Sequence, residues 1–373
     1  MRYSVLPKAS HPPNQSTILA NKLQSPLFPY ARFSSNPSLS YTLENLLISA
    51  LTVVTSSLDF LFTLSVWIPI GFIKTIYESF INPLIKFFNQ DHNLSSSYTT
   101  PPRVVIISGG SSGIGAHLVQ LYACPQTVLI ILGRDQERLE HVAKVAKSLG
   151  CASLETHSID YAHDDAEEKI KSMIHQVKEK YGVIDEIFSV AGTVTFTDDQ
   201  EGESERWGAK TAKRLTQVNV ASTYAFIMNS WEIMKTQRHG KICIIASSAA
   251  LFGPPQFAFY GASKANLLSF SQSLRSISTP YNINVNCICP GFIESGMTAD
   301  MLSAGSTMPP MMLADTLQMA QRIRLAINQN QSVVVWPLNQ VLPLLLASKL
   351  NWLNADLGRW VASKIGVTGE MVS

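Results

Sequence analysis

From residue 103 onward, apolar residues gather into short unbroken runs rich in Val and Ile, and these alternate with longer stretches of helical spacing. A continuous apolar run without polar alternation suits a strand buried on both faces. The runs predict strands at 103–108, 127–132, 184–190, 240–246, 284–289 and 332–336, and a further strand is expected at the more polar 153–158. Strands alternating with helices specify a parallel sheet covered on both sides, an α/β doubly wound architecture.

Upstream of residue 103 the pattern changes. Residues 45 to 73 carry a single charge, Asp59, between Glu44 and Lys74. About 20 apolar residues suffice to span a bilayer as a helix, so this run is long enough with residues to spare. It starts too late and runs too long for a cleavable signal peptide. Pro69, Gly71 and the central Asp59 also fit a re-entrant hairpin or two interfacial helices. Basic residues occur on both sides (Arg32, Lys74, Lys86), so orientation stays open. A helix packed on the rest of the protein is the soluble alternative.

The expected organisation is a disordered or targeting segment at 1–44, a membrane-anchor region at 45–90 and a polar linker at 91–102 that ends in Pro-Pro. The α/β domain at 103–336 and a helical tail at 337–373 follow. Residues 1–43 hold Arg2, Lys8, Lys22 and Arg32 but no acid, a composition like that of a mitochondrial transit peptide. Pro12, Pro13, Pro26 and Pro29 interrupt the amphipathic helix such a peptide needs.

Charged residues make up only 15% of the chain, against roughly 25% in soluble domains, which agrees with a part that avoids water. A formal charge of +2 with scattered basic residues excludes a nucleic-acid footprint. The five cysteines, Cys124, Cys151, Cys243, Cys287 and Cys289, lie in or beside apolar runs and lack metal-ligand spacing, so no metal is expected. They read as reduced core thiols in a reducing compartment, with Cys287 and Cys289 sharing one strand face.

Candidate chemistry begins at Val104–Gly115, VVIISGGSSGIG, where Gly109, Gly113 and Gly115 follow a strand and open a helix. Gly109 permits the tight turn, Gly113 lets backbone approach a pyrophosphate and Gly115 allows close helix packing. The helix N-terminus, with Ser111, Ser112 and Ile114 around it, faces the phosphates. Further on, Tyr260 and Lys264 stand four apart on a predicted helix and so share a face. The strand KICIIASSAA ahead of them ends in Ser247 and Ser248.

With these motifs in order, the sequence resembles the short-chain dehydrogenase/reductase family over residues 103–336, and a Rossmann-type sheet is implied. The family's TGxxxGIG appears with Ser108 in place of Thr, and its Asn-Asn-Ala-Gly reads Ser189-Val190-Ala191-Gly192, without the Asn that steadies the sheet. The resemblance implies a catalytic set of Asn219, Ser247, Tyr260 and Lys264, with Ser248 as the rival of Ser247. Tyr260 would exchange the proton, Lys264 would lower its pKa and hold the nicotinamide ribose, and Asn219 would anchor a water. It further implies cofactor contacts by Asp160 to adenine and by Pro290, Gly291, Ile293 and Ser295 around the carboxamide.

Gly133 stands where NAD-preferring members carry an acid, and Arg134 follows it, so NADP(H) is the expected cofactor. Met297, Met301, Met308, Met311 and Met312 in the segment expected to set specificity suit a lipid-like substrate. The N-terminus and tail are similar to membrane-associated family members that act on lipids. The expected partners are an apolar small molecule or lipid, a membrane and a second copy of the chain as a homodimer. The expected place is the endoplasmic reticulum with a cytosolic catalytic domain, and a mitochondrial membrane is the alternative. A catalytically idle NADP(H)-binding scaffold at a membrane is the competing function.

Overall fold

A computed structural model describes residues 39–76, 101–194, 208–253, 257–303 and 313–341, with Leu344 and Ser348. Most of the 1–44 segment, residues 77–90 of the expected anchor region, most of the linker, the specificity residues Met308, Met311 and Met312, and most of the 337–373 tail lie outside the described residues.

The N-terminal unit is helical. Helix α1, Leu39–Phe62, passes through a π turn, Thr63–Trp67, into α2, Ile68–Ile76. Pro69 has no N–H to give, and the π turn just ahead of it, closed by Ile68 N–H to Thr63 O, lets the helix continue. Within it, Val53–Ile73 is long and apolar enough to cross a membrane, and none of it is buried. Leu58, Leu61, Phe72 and Ile73 are each about 60% exposed or more, an arrangement that water does not favour.

The second unit is a seven-stranded parallel sheet in the order β3-β2-β1-β4-β5-β6-β7. The strands are β1 Val104–Ser108, β2 Val128–Gly133, β3 Ser153–Ser158, β4 Glu186–Ser189, β5 Gly240–Ile245, β6 Ile283–Pro290 and β7 Val333–Trp336. Every predicted strand is present, and the boundaries differ by one or two residues. Just ahead of β4, the Asp185 side chain accepts from the Arg103 and Val104 N–H groups, at 2.9 and 3.0 Å.

The unbroken apolar runs have their cause in the two layers they separate. Val104 and Ile106 face α5 (Ala166–Tyr181), α7 (Ser222–Gln237) and α8 (Ala258–Ser278). Val105 and Ile107 face α3 (Gly113–Tyr122), α4 (Gln136–Ser148) and α10 (Thr316–Asn328). Two shorter helices, α6 (Ala209–Thr216) and α9 (Gly296–Ser303), complete the described set. Helix starts follow local chemistry: Asp135 accepts from Arg138 N–H at α4 and Asp315 from Gln318 N–H at α10.

The chain reverses direction of growth between β1, which leads outward to β2, and β4, which leads to β5. A crevice opens at such a switch point, at the carboxyl ends of the strands. All five cysteines are free thiols, and Cys243, Cys287 and Cys289 are buried. Cys287 and Cys289 share a face, and their mutual influence lowers the first thiol and raises the second.

Candidate active site

The turn from β1 to α3 crosses that switch point. Gly109 has φ 71 and Gly113 φ 52, backbone that favours glycine. A Cβ at Gly109 would lie 2.7 Å from the Ala191 nitrogen, and one at Gly115 would overlap the Gly109 carbonyl oxygen. The turn is therefore a backbone cradle with no side chain inside it. Ser112 caps α3 by position but makes no side-chain cap bond, so its hydroxyl and the first-turn N–H groups of Gly113, Ile114 and Gly115 stay available to an anion. Ser111 lies against β2, where a Cβ on Gly133 would come within 2.9 Å of its Oγ. Arg134 is exposed directly after Gly133. Asp160, after β3, accepts from the Ala162 N–H at 2.9 Å.

Ser108 and Ser189 are register partners on β1 and β4, and Ser108 Oγ accepts from Ala191 N–H at 3.3 Å. This bond secures the Ala191-Gly192 turn in a chain lacking the expected Asn. Next to it, the Ser189 and Tyr161 hydroxyls are buried without hydrogen-bond partners.

Asn219 is wholly buried in a π turn, Gln217–Ala221, between α6 and α7. Its Oδ1 accepts from Thr193 N–H at 2.8 Å, and its Nδ2 donates to Thr193 O at 2.9 Å and Ser263 Oγ at 3.0 Å. Ser263 in turn donates to the Tyr260 carbonyl at 2.8 Å. One chain of hydrogen bonds thus joins the end of β4, the π turn and α8. The sequence reading missed Ser263, whose place beside Lys264 shows only once α8 packs on the turn.

Ser247 stands where β5 passes into a short 3-10 turn, its Oγ accepting from Ala249 N–H at 3.1 Å. Ser248, the rival, is buried. Tyr260 is partly exposed on α8, and burial raises its phenol above the ordinary tyrosine value while a hydrogen bond from Ser247 opposes the rise. The Lys264 ammonium lies 5.8 Å from the Tyr260 ring centre and donates to Ile245 O at 2.9 Å. Burial lowers Lys264 from 10.5 to about 8. Lys264 was expected to lower the Tyr260 pKa. Burial is the largest influence on that phenol, and the Lys264 ammonium is held against β5 by its bond to Ile245 O. A Cβ on Gly192 would sit 3.1 Å from Lys264 Nζ and 3.3 Å from Asn219 Oδ1, so the ammonium and the amide oxygen converge on that glycine.

The opposite wall is the loop after β6. Gly291 N–H donates to Trp336 O at 2.8 Å, Ala314 N–H to Phe292 O and Glu294 N–H to Ala314 O, both at 2.9 Å. Ser295 N–H donates to Thr298 Oγ1 at 2.9 Å. Pro290 and Ile293 are buried. This loop comes close to the glycine turn: a Cβ on Gly113 would be 3.7 Å from Ser295 Cβ, an ordinary van der Waals contact.

A doubly wound parallel sheet with a glycine-lined turn at its switch point and a Ser, Tyr, Lys and Asn cluster beside it defines a nicotinamide-dependent oxidoreductase. The short chain dehydrogenase family profile matches residues 103–306, and the chain belongs to that family. An uncharacterized oxidoreductase of Staphylococcus saprophyticus is 30% identical over 198 residues, 53% of this chain and 81% of that protein. The 11-beta-hydroxysteroid dehydrogenase 1A of Arabidopsis thaliana is 30% identical over 203 residues, 54% of this chain, and the match spans only 56% of the plant protein. Among solved structures, levodione reductase aligns with a TM-score of 0.57 at 20% identity, covering 64% of this chain and 98% of that one. A short-chain dehydrogenase from Sphingobium yanoikuyae in complex with NADPH aligns at 0.56 and 20%, covering 70% and 95%. NAD+-bound xylitol dehydrogenase aligns at 0.53 and 21%, covering 63% and 97%. At these identities the likeness to solved structures shows the fold.

Proposed function

We propose that this protein interconverts a carbonyl and an alcohol on an apolar, lipid-like substrate with NADP(H), and that it works at a membrane. The observation that carries the reading is the convergence of Ser247, Tyr260, Lys264 and Asn219 on one crevice with an empty-walled glycine cradle beside it. NADP(H) held on Gly109 to Gly115 would supply or take up the hydride. Ser247 orients the substrate oxygen, and Tyr260 exchanges a proton with it. Burial keeps the Tyr260 phenol protonated near neutrality, the form needed to donate to a developing alkoxide. Lys264 and Gly192 line the ribose side, and Pro290, Gly291, Ile293 and Ser295 line the carboxamide side. An idle scaffold has no use for all four catalytic groups.

The choice of NADP(H) rests on exposed Arg134 next to Gly133, where no carboxylate competes with a 2′-phosphate. The exposed helix Val53–Ile73 supports membrane attachment. The apolar substrate is supported by that helix and by the kinship with plant proteins named as hydroxysteroid dehydrogenases. The proposed place is the endoplasmic reticulum with the catalytic domain in the cytosol, and a homodimer is the proposed assembly. NADPH oxidation by the detergent-solubilised full chain, assayed against a panel of lipid ketones, aldehydes and steroids, tests the reading. Turnover of none of them, with NADPH bound, would favour the scaffold.

A further inference from the structure

Beyond the last strand the chain makes a helical turn in which Gln340 is only 4% exposed. A side chain of this kind is rarely buried unless its amide is used. Its Oε1 accepts from Phe292 N–H at 2.7 Å, and its Nε2 lies 3.5 Å from Phe292 O. A Cβ on Gly291 would overlap Gln340 Oε1, so the amide occupies the space a side chain at 291 would take. The turn is anchored by Gln340 N–H and Val341 N–H, both donating to Pro337 O at 3.2 Å.

Ala314 grips the segment 292–294 from one side, and Gln340 grips it from the other. The same segment leads to Ile293 and Ser295. We propose that Gln340 is a positioning residue for the nicotinamide end of the cofactor site, holding the Gly291-Phe292 backbone through its side-chain amide. This rests on the dinucleotide-binding reading above. Without the amide, Phe292 N–H loses its acceptor and the wall that carries Ile293 and Ser295 loosens. The glycine cradle is built on other elements, β1 and α3.

The test compares the dinucleotide with its adenine half. Dissociation constants for NADPH, NADH and adenosine 2′,5′-bisphosphate are measured by calorimetry on the full chain in detergent, for wild type, Gln340→Met, Gly291→Ala and the double variant. Gln340→Met fills the volume without an acceptor, and Gly291→Ala expels the amide by its Cβ. Each should weaken reduced dinucleotide by roughly tenfold, the scale of one backbone donor left unpaired, while the bisphosphate constant stays within about twofold. The double variant should be little worse than either single one, because both remove the same contact. Equal losses for dinucleotide and bisphosphate, additive losses in the double variant, or no loss at all would overturn the inference. Failure of wild type to bind either dinucleotide would instead overturn the cofactor reading itself.

Discussion

Lys264 Nζ donates to the carbonyl of Ile245, two residues before Ser247 on the same stretch of chain. The ammonium is thus tied to the strand that leads into Ser247, and the spacing of Tyr260 and Lys264 on α8 is matched across to β5. Any change in this bond moves groups on two elements together.

Tyr260→Phe removes one hydroxyl and no volume. Turnover should fall by about a hundredfold to ten-thousandfold, the usual share of a positioned acid-base group, with NADPH binding kept. Lys264→Met should weaken both binding and turnover. Single-turnover kinetics and calorimetry separate the two, and wild-type turnover in Tyr260→Phe would remove the tyrosine from the chemistry.

Lys264 also ties stability to pH. Its value falls from 10.5 in the unfolded chain to about 8 in the fold, so between these the unfolded chain binds more protons and stability rises with pH. The cost of the buried ammonium is carried in full below about 8 and is relieved as pH climbs toward 10.5. The span corresponds to roughly 3 to 4 kcal/mol at about 1.4 kcal/mol per unit. Urea unfolding of wild type and Lys264→Met at pH 7.5 and 10 should show the wild type gaining on the variant at the higher pH. Parallel behaviour would mean that the amine titrates as if exposed.

Arg134→Ala should raise the apparent constant for NADPH far more than that for NADH, because only the former carries the 2′-phosphate. A loss of one charge-assisted bidentate contact amounts to roughly tenfold or more. Equal effects on both cofactors would show that Arg134 reads something else.

The exposed helix makes a physical claim about partitioning. Val53–Ile73 covers roughly 30 Å at about 1.5 Å per residue, the thickness of a hydrocarbon core. Full-length protein should stay with membranes through a high-pH carbonate wash, and a chain starting near Ser95 should leave them. Recovery of the full chain in the soluble fraction would sink the membrane reading.

The sheet was legible because its signal is local. Runs such as VVIIS and VLIILG are apolar throughout, since both faces are covered, and each names its strand without reference to the rest. The glycine turn and the Tyr260 and Lys264 pair were legible for the same reason, and the structure brings them to one crevice with Ser247 and Asn219. The π turn that aims Asn219 was not, because its cause is the packing of α8 and the Thr193 backbone against it. Gln340 lies 48 positions from its partner Phe292, and nothing in the tail's apolar pattern marks that glutamine as buried. Ser108 stands where the family motif has Thr, and what the sequence did not show is that its hydroxyl accepts from Ala191 N–H.

Gly192 has no positive φ, so its backbone would accept any residue, and its neighbours set the restriction. Position 192 is therefore a site of epistasis. In a saturation library alanine at 192 should still fold, with Lys264 Nζ and Asn219 Oδ1 displaced by a few tenths of an ångström, while larger side chains should cost turnover before they cost folding. In a background where both neighbours are shortened, that penalty should shrink. The restriction at this position would then come from its neighbours, at a residue that itself carries no reactive atom.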